Sequence, residues 1–555
     1  MRNKKIDSDR VYNIRDVACI RDMVETNAEI YADRPAFLWK QKDGIKSVCY
    51  REVYDDVKRF ATELLARGYA DRKIAVIGEN CYAWALTYLT VTSAVGVIMP
   101  IDRDYQSSQL EFVMADAEAD ILFYSDKHEK IVKGANLTVP AVPFSALCEW
   151  IEAGGEKIRE GSTLYEDHIL NPMAFGILLY TSGTMGVSKG VMLTQYNVCS
   201  NVLQALRNIK VYPTDRALSV LPLHHTYECT AGFLAFFYAG ASVAYNQSLV
   251  TLPADMKDFK PTVMVVVPLI LHSFYKKIRQ QYEKIKGGKL VYRLQSAIAS
   301  LSSVKRKKAV FGRLTAMFGG NIRAFLVGAA ALSEEAFHAF RKFGYTVYVG
   351  YGLTETSPVI AMHGDRYQSP RDVGFPLPGV QTKIKDPDEN GIGELVVKGN
   401  NVMLGYYKRP EATAEVLDRG WFSTGDLARI NPNGSISVFG RTKSMIVAEN
   451  GKKILPEELE VCIENKGLTE DSFVFYDEGE KKIVASVVPN ETLQSSEDGG
   501  REELTRAIRE INDTFPAYKR IGCLVIRKAP FEKTTTHKIK RNDKSNREVE
   551  EPIRI

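Results

Sequence analysis

The eight cysteines of this 555-residue sequence form no C-x-x-C motif and do not lie beside histidines at metal-ligand spacing. This absence excludes the common zinc patterns and is typical of reduced, mostly buried thiols in a cytosolic protein. The first residues, MRNKKIDSDR, are polar and no apolar segment follows them, so we expect no signal peptide and a cytoplasmic location. The net charge of +5 is small for this length and excludes a general affinity for nucleic acid.

Long uncharged runs are also scarce, and only one of them is considered as a possible membrane-spanning helix. Residues 80–101, NCYAWALTYLTVTSAVGVIMPI, are long enough to cross a bilayer. Five of them are Asn, Ser or Thr, and Gly96 and Pro100 interrupt the run. We therefore expect a buried helix followed by a buried strand, with loose contact to a membrane surface as the alternative.

The order of apolar segments predicts an α/β fold. From about residue 50, helical patterns alternate with short apolar runs such as AFGILLYTSG, TVMVVVPL and TVYVGYG, which is typical of parallel strands buried on both faces. After Gly391 the strands shorten and suggest antiparallel pairing, and a compact α+β unit follows. We predict two domains, residues 1–440 and 441–555, and a mobile surface loop at 491–500.

A basic helical segment at residues 276–308 allows two interpretations. KKIRQQYEKIKGGKL and SSVKRKK read most simply as a solvated helical hairpin. The alternative is a surface that attracts anionic lipid or an anionic substrate carrier.

The loop LLYTSGTMGVSKGVMLT, residues 178–194, is almost a Walker phosphate-binding loop. Counted from Gly183, however, the second Walker glycine is Ser188 and the magnesium-binding hydroxyl is Gly190. Glycines, hydroxyls and Lys189 remain, and backbone N–H groups in such a turn can still surround an anion.

The loop YTSGTMGVSKG resembles the signature of the adenylate-forming (AMP-binding) superfamily, which includes acyl-CoA synthetases, and departs from it at Met185 and Ser188. Further segments resemble family motifs in the family's order: GAAALS (328–333), YGLTETSP (351–358), WFSTGDLARI (421–430), GRTKSMIV (440–447) and TTTHKIKR (534–541). His537 replaces the usual glycine of the last motif. The resemblance covers about residues 25–545 and implies a small barrel-like β part after the βαβ-built sheets, then a mobile C-terminal catalytic domain.

The resemblance also implies roles for particular residues. ATP would be bound by Thr181, Ser182, Gly183, Thr184, Gly186, Lys189, Gly328, Ala329, Ala330, Tyr351, Gly352, Thr354, Asp426 and Arg441. Mg²⁺ would be held by Glu355 and Thr184, and Lys443 would be the hinge. Lys538 would be the catalytic lysine between the two reacting anions, with Glu355, Thr184 and His225 as further catalytic residues.

The implied reaction joins a carboxylic acid to AMP with release of pyrophosphate and then transfers the acyl group to the thiol of coenzyme A. LPLHHTYECTAGFLAFFYAGA, residues 221–241, resembles the acyl-pocket segment of long-chain acyl-CoA synthetases, with His225 beside the acyl carbonyl. A core histidine is an equal alternative, and the phenylalanines of this segment are better explained as core than as tunnel. The stretch from Arg441 to Ile454 also has the length found in the long-chain branch.

Two alternatives stay open at this point. The acyl group could be transferred to the phosphopantetheine of an acyl carrier protein, docked by the basic segment. A non-catalytic lipid-surface scaffold is disfavoured, because Glu355, Asp426, Arg441 and Lys538 are all present. The basic C-terminal segment around Lys538 could also be taken for a nucleic-acid arm, but the ordered motifs argue against that.

The assignment of Lys538 predicts a split between the two half-reactions. Lys538→Ala should abolish acid-dependent ATP–pyrophosphate exchange, because the lysine charge brings the carboxylate and the α-phosphate together. Thioester formation from supplied acyl-adenylate should be largely retained. An equal loss of both activities would contradict the assignment.

Overall fold

Strands in this protein are short and mostly apolar, as expected for segments buried between layers of helices. The computed structural model describes residues 12–181, 189–447, 453–533 and 539–555. The strands are β1 (Pro35–Gln41), β2 (Gly44–Cys49), β3 (Lys73–Ile77), β4 (Val97–Ile101), β5 (Ile121–Tyr124), β6 (Ala141–Pro143), β7 (Phe175–Thr181), β8 (Lys189–Thr194), β9 (Arg216–Ser219), β10 (Ser242–Tyr245), β11 (Val263–Val266), β12 (Ala324–Val327), β13 (Thr346–Gly352), β14 (Val359–Met362), β15 (Phe375–Pro376), β16 (Gln381–Lys385), β17 (Gly393–Lys398), β18 (Gly405–Tyr406), β19 (Leu417–Asp418), β20 (Trp421–Ile430), β21 (Ile436–Arg441), β22 (Ile446–Val447), β23 (Lys453–Ile454), β24 (Thr469–Asp477), β25 (Lys482–Pro489), β26 (Ile521–Ile526) and β27 (Ile553–Arg554).

Helices separate most of these strands and cover the sheets. They are α1 (Ile20–Ile30), α2 (Tyr50–Ala66), α3 (Tyr82–Thr90), α4 (Ser107–Ala117), α5 (Glu129–Gly134), α6 (Leu147–Arg159), α7 (Leu164–Asp167), α8 (Gln195–Asn208), α9 (Ala235–Tyr238), α10 (Leu252–Phe259), α11 (Pro268–Glu283), α12 (Gly288–Ser300), α13 (Val304–Val310), α14 (Gly312–Met317), α15 (Glu334–Lys342), α16 (Pro410–Val416), α17 (Pro456–Asn465), α18 (Glu491–Gln494) and α19 (Arg501–Asn512). Two π-helical segments, Val91–Val95 and Glu228–Leu234, continue the helical stretches around α3 and α9.

Three sheets build the large N-terminal part. The first runs β15-β14-β13-β12-β11-β9-β10-β1-β2, and its strands from β1 through β10, β9, β11 and β12 to β13 are parallel. The second runs β18-β8-β7-β4-β3-β5-β6 and is parallel from β7 to β6. The third is antiparallel and joins β16, β17, β20 and β19, with β21 paired to β20.

A smaller α+β part follows and has its own core. Its sheet runs β24-β25-β26-β27, and α17 and α19 contribute Leu459, Ile463, Leu504 and Ile508 to the buried cluster against it. This confirms the predicted fold class of a large α/β part followed by a small α+β part. The boundary at residue 441 stays a prediction.

Several expectations are refined by the structure. Residues 80–101 form α3, a π-helical turn and β4, which are buried from Trp84 onward, as expected. Among the described residues no helix has both the length and the apolar character to cross a membrane. The loop predicted at 491–500 begins instead with the short helix α18, capped by the Asn490 side chain on the N–H of Leu493. The eight cysteines are unpaired as predicted, but only Cys199, Cys229 and Cys523 are fully buried.

The close packing of α6 on α2 predicts contrasting effects at two adjacent glycines. A Cβ on Gly154 would lie 1.9 Å from the Arg59 carbonyl oxygen, whereas on Gly155 the nearest atom, 3.4 Å away, belongs to the flexible Arg59 side chain. Gly154→Ala should therefore lower the free energy of unfolding by roughly 3 kcal/mol. Gly155→Ala should leave it unchanged or raise it by up to about 1 kcal/mol, since alanine favours helix. Urea unfolding midpoints measure both, and equal midpoints would contradict this packing.

Candidate functional site

The candidate site begins where the parallel strands of the first sheet end. β13 and β12 are neighbours in this sheet, and β9 follows after β11. Their carboxyl ends are followed in the chain by residues 353–358, 328–333 and 220–228, respectively. In sheets of this kind, ligands bind in the crevice outside these strand ends. Five of the segments that resemble family motifs contribute described residues to this edge or to the neighbouring sheets.

A buried carboxylate connects the first and third sheets. Asp426 on β20 is 5% exposed; its Oδ2 accepts a hydrogen bond from the Tyr351 hydroxyl at 2.5 Å, and its Oδ1 lies 2.8 Å from Arg441 Nε. Asp426 and Arg441 are also register partners on β20 and β21. Burial and the Asp426 charge raise the pKa of Tyr351 well above its usual value, so the hydroxyl stays a donor. Each carboxylate oxygen has two lone pairs, which leaves capacity for ligand hydroxyls.

A second set of contacts joins the first and second sheets through Tyr406. The Tyr406 hydroxyl donates a 2.9 Å hydrogen bond to Glu355 Oε1, and Lys189 Nζ lies 4.9 Å from the centre of the Tyr406 ring. Strand β18, which carries Tyr406, pairs with β8 directly after Lys189. The Glu355 carbonyl accepts the N–H of Met403 at 2.9 Å, so its backbone is fixed as well. A carboxylate and an ammonium group are thus held at one junction of the two sheets.

The glycines of the candidate site allow close approach of neighbouring groups. A Cβ on Gly328 would lie 2.8 Å from the Tyr227 ring, and one on Gly352 would lie 1.8 Å from the Pro358 carbonyl oxygen. Ala329 has a φ of +71°, a left-handed conformation that is strained for a residue with a side chain. Strain of this kind concentrates at functional sites, which agrees with the predicted role of Gly328, Ala329 and Ala330 beside the nucleotide.

A cavity lies beneath the 221–230 segment. The residues around it are mostly apolar and come from the second sheet, from α3 and α8, and from the segment that follows β9: Tyr88, Pro100, Ile177, Leu179, Leu193, Val198, Leu223, His224, Thr226, Cys229 and Thr230. The aromatic and leucine side chains from Phe233 to Phe237 are fully buried in the core and do not line it. They are core residues, as the sequence indicates.

The two histidines of this segment occupy different environments. His224 is buried against the cavity with its ring 4.3 Å from that of half-buried His225. Burial lowers the pKa of His224 to about 3, so its ring is neutral. His224 Nε2 is 3.3 Å from Asp102 Oδ1, but the approach does not have hydrogen-bond geometry. Sequence reasoning chose His225 as the acyl-contacting residue, while the residue at the cavity wall is His224.

A buried acid that the sequence analysis missed lies one turn further along. Glu228 is fully buried; its Oε1 accepts a 2.5 Å hydrogen bond from Ser219, while its Oε2 has no hydrogen-bond partner. Asn80 donates to Ser219 Oγ at 2.9 Å and to the Leu221 carbonyl at 2.6 Å, and accepts from the N–H of Leu223. Burial raises the pKa of Glu228 to about 8, so the carboxyl is largely neutral near pH 7. The network fixes the chain immediately before the histidines.

The predicted catalytic lysine, Lys538, lies outside the described residues, as do Ser182, Gly183, Thr184 and Gly186. The residues on both sides of Lys538 are anchored: Lys533 Nζ is 2.7 Å from Asp471, and Arg541 is 2.5 Å from Glu460. Lys533 also pairs with Ile539 as an antiparallel bridge. These ion pairs argue against a free basic arm at this end of the chain.

The other predicted residues lie at strand ends and turns, and their roles stay predictions. Thr181 and Lys189 are register partners at the ends of β7 and β8, and Thr354 and Glu355 form a helical turn directly after β13. Lys443 lies exposed on the turn Thr442–Ser444, between β21 and the C-terminal part. Tyr406 and Asn80 were missed, since nothing in the segments GYYKRP or GENCYA indicates contacts with residues so distant in sequence.

A single carboxylate would make an incomplete magnesium site. Within the described part of the chain, no three His, Cys, Asp or Glu side chains come together as metal ligands. Glu355 nevertheless fits Mg²⁺, which prefers one or two carboxylates together with substrate phosphates and water.

Comparisons with known proteins agree with this geometry. The AMP-binding enzyme family matches residues 24–407, and the AMP-binding enzyme C-terminal domain matches residues 443–550. The long-chain-fatty-acid–CoA ligase FadD15 of Mycobacterium bovis is 31% identical over 468 residues, which cover 77% of this chain and 75% of that protein. The long-chain-fatty-acid–[acyl-carrier-protein] ligase AEE15 of Arabidopsis thaliana is 25% identical, over 85% of this chain and 76% of its own.

Solved structures show the same fold. The anthranilate CoA ligase AuaEII in complex with anthranoyl-AMP superposes with a TM-score of 0.76 at 18% identity, covering 96% of both chains. ATP-bound MatB from Rhodopseudomonas palustris gives 0.73 at 23% identity, over 94% of this chain and 98% of that one.

The buried acid predicts a pH-dependent stability. Because the folded-state pKa of Glu228, about 8, exceeds the ordinary value of 4.5, the folded protein retains a proton that the unfolded chain releases. As the pH rises from about 4.5 to about 8, Glu228 should therefore lower the free energy of unfolding progressively. Glu228→Gln should remove this contribution, so the variant gains stability relative to the parent between pH about 5 and about 8.

The measurement is the urea unfolding midpoint of the parent and of Glu228→Gln at several pH values in this range. Glu411→Gln, at the exposed start of α16, is the control. A constant difference between Glu228→Gln and the parent at all pH values would show that Glu228 is ionised in the folded protein.

Proposed function

The chain belongs to the AMP-binding enzyme family and is an AMP-forming acid–thiol ligase, and from this premise we propose that it activates a long-chain fatty acid for transfer to coenzyme A. The proposal rests mainly on two clusters of side chains at one edge of the first sheet. One contains Asp426, Tyr351 and Arg441, and the other contains Glu355, Tyr406 and Lys189.

The two clusters suit the two ends of ATP. The Asp426 carboxylate is oriented by a neutral hydroxyl and a guanidinium, and carboxylate oxygens are acceptors of the kind that ribose hydroxyls need. Glu355 would hold Mg²⁺, which when bound neutralises phosphate charge. Lys189 supplies a positive charge at the base of the 182–188 loop, where we place the departing pyrophosphate.

In the first half-reaction a carboxylate oxygen of the fatty acid attacks the α-phosphorus of ATP, and the bond from that phosphorus to pyrophosphate breaks. Two anions must approach each other, so fixed positive charge provides most of the catalysis. We assign this role to Lys538, with Lys189 on the leaving group. No covalent bond to the enzyme is needed for this step.

In the second half-reaction the thiol of coenzyme A attacks the acyl carbonyl and AMP leaves. We propose that the C-terminal part rotates about Lys443 between the two steps. Lys276 of the N-terminal part and Glu470 of the C-terminal part form an ion pair, with 3.1 Å between Nζ and Oε1. Both side chains are at least 40% exposed. Exposed pairs of this kind contribute about 0–1 kcal/mol, so breaking it costs little.

The preference for a fatty acid is supported by the cavity beside His224. Its lining is mostly apolar, and the neutral forms of His224 and Glu228 add no charge to it. The cavity has room for about one water molecule, so we propose that its walls move apart to admit the hydrocarbon chain. Relatives named as long-chain-fatty-acid–CoA ligases, at 31% identity in Mycobacterium bovis and 27% in the rat, support the same substrate. The relative named for an acyl-carrier-protein acceptor makes carrier protein the second candidate acceptor.

The proposal predicts both the acid and the acceptor. ATP–pyrophosphate exchange should be fastest with palmitate or oleate and slow with octanoate, benzoate or amino acids. Product formation should then require coenzyme A. Val198→Phe, which fills part of the cavity, should shift the preferred acid to shorter chains while leaving the KM for ATP unchanged.

Preference for an aryl or amino acid would contradict the fatty-acid assignment, and product formed with acyl carrier protein in place of coenzyme A would favour the second acceptor. If Val198→Phe lowered exchange equally with every acid, the cavity would not be the acyl site. The urea midpoint of the variant shows whether it folds.

A further inference from the structure

Helix α12 turns its apolar side chains outward. Leu290, Leu294, Ile298 and Leu301 recur at the spacing of one helical face, and they are 62%, 57%, 56% and 96% exposed. The inward side carries Tyr292, whose ring packs against Tyr282, Phe311 and Phe343, together with Gln295 and the buried Ala299. Gln295 accepts a hydrogen bond from the Tyr282 hydroxyl and donates one to the Val310 carbonyl. The segment interpreted from the sequence as a solvated basic hairpin therefore also presents an exposed apolar face.

The exposed face continues beyond the helix at both ends. Ile285 before α12 and Val304 after it are 47% and 60% exposed. Together with the four side chains of α12 they define an apolar ridge that we call the α12 ridge. A contiguous exposed apolar surface of this kind marks an interaction site more often than scattered single residues do.

The α12 ridge lies within a strongly basic stretch of the sequence. From Lys284 to Ser333 the sequence contains no Asp or Glu. The basic side chains near the ridge are Lys284, Lys286, Lys289, Arg293, Lys305, Arg306, Lys307, Lys308 and Arg313. Most of them, including Lys289, Arg293, Lys305 and Arg306, are exposed.

We propose that the α12 ridge binds the surface of an anionic phospholipid membrane, with α12 lying in the interface plane. Apolar side chains on one helical face would enter the boundary between headgroups and acyl chains, and the bordering lysines and arginines would contact lipid phosphates. This goes beyond the proposed function, because it concerns where the enzyme is held and not which acid it activates.

The shape and composition of the ridge favour a membrane over an acidic protein partner. Its apolar side chains project from one helix and its bordering segments, and the most exposed of them, Leu301, is 96% accessible. A docked acidic protein would mainly need the charges, whereas a bilayer uses the projecting apolar side chains and the charges together. The apolar and the charged side chains can be substituted separately, so the contribution of each to binding can be measured.

Vesicle flotation with the full-length protein tests the proposal. The protein should bind vesicles of phosphatidylcholine containing roughly one-third phosphatidylglycerol, and bind pure phosphatidylcholine at least about tenfold less. Leu294→Gln/Ile298→Gln should weaken binding to the anionic vesicles by about tenfold or more. Lys305→Gln/Arg306→Gln should weaken it by a similar factor and reduce its dependence on salt.

Matched controls separate this proposal from misfolding and from the proposed function. Leu249→Gln/Val250→Gln removes two apolar side chains that are 51% and 91% exposed away from the ridge, and should leave vesicle binding unchanged. ATP–pyrophosphate exchange should be unchanged in all three variants, which confirms that they fold.

Absence of binding by the parent protein to anionic vesicles, or equal loss in the Leu249/Val250 control, would overturn the proposal. So would ridge variants that lose binding to an acidic carrier protein but keep their affinity for vesicles.

Discussion

The ion pair and hydrogen bond of Asp426 are the interaction on which the candidate site depends. A carboxylate that is 5% exposed is stable only with partners, and here they come from different sheets: Tyr351 from the first and Arg441 from the third. Arg441 also ends the last strand before the C-terminal part. The same contact therefore fixes the nucleotide end of the site and the point from which the second part of the chain departs.

At the other end of the candidate site, around Glu355 and Lys189, the side chains are positioned by strand pairing and not by an ion pair. β18 adds to β8 and places Tyr406 between Lys189 and Glu355, so the acid and the base are oriented without a direct ion pair being required. The phenol is a suitable spacer, since burial together with Glu355 raises its pKa and keeps it protonated. Both groups remain able to respond to a ligand.

The sequence predicted most strands and the order of the motifs, because strands buried on both faces leave continuous apolar runs and the strand ends of a parallel sheet meet at one edge. It did not predict Tyr406 or Asn80, whose partners Glu355 and Leu221 lie 51 and 141 residues away, or the neutral form of Glu228, which follows from its burial. It also left open which side of α12 faces solvent, because an amphipathic pattern has the same period whether its apolar side meets a core or an interface.

The neutral Glu228 has a consequence for substrate entry. An ionised carboxylate at this depth would project a negative field into the cavity, where weak screening lets it reach several ångströms. Every substrate of the first half-reaction is itself an anion. Because Glu228 keeps a proton and His224 lacks one, the 219–228 segment adds no net charge to the cavity wall. Under the proposed function, the attraction on an acid substrate then comes only from the proposed phosphate-binding side, and the carboxylate would enter pointing toward ATP with its tail toward the cavity.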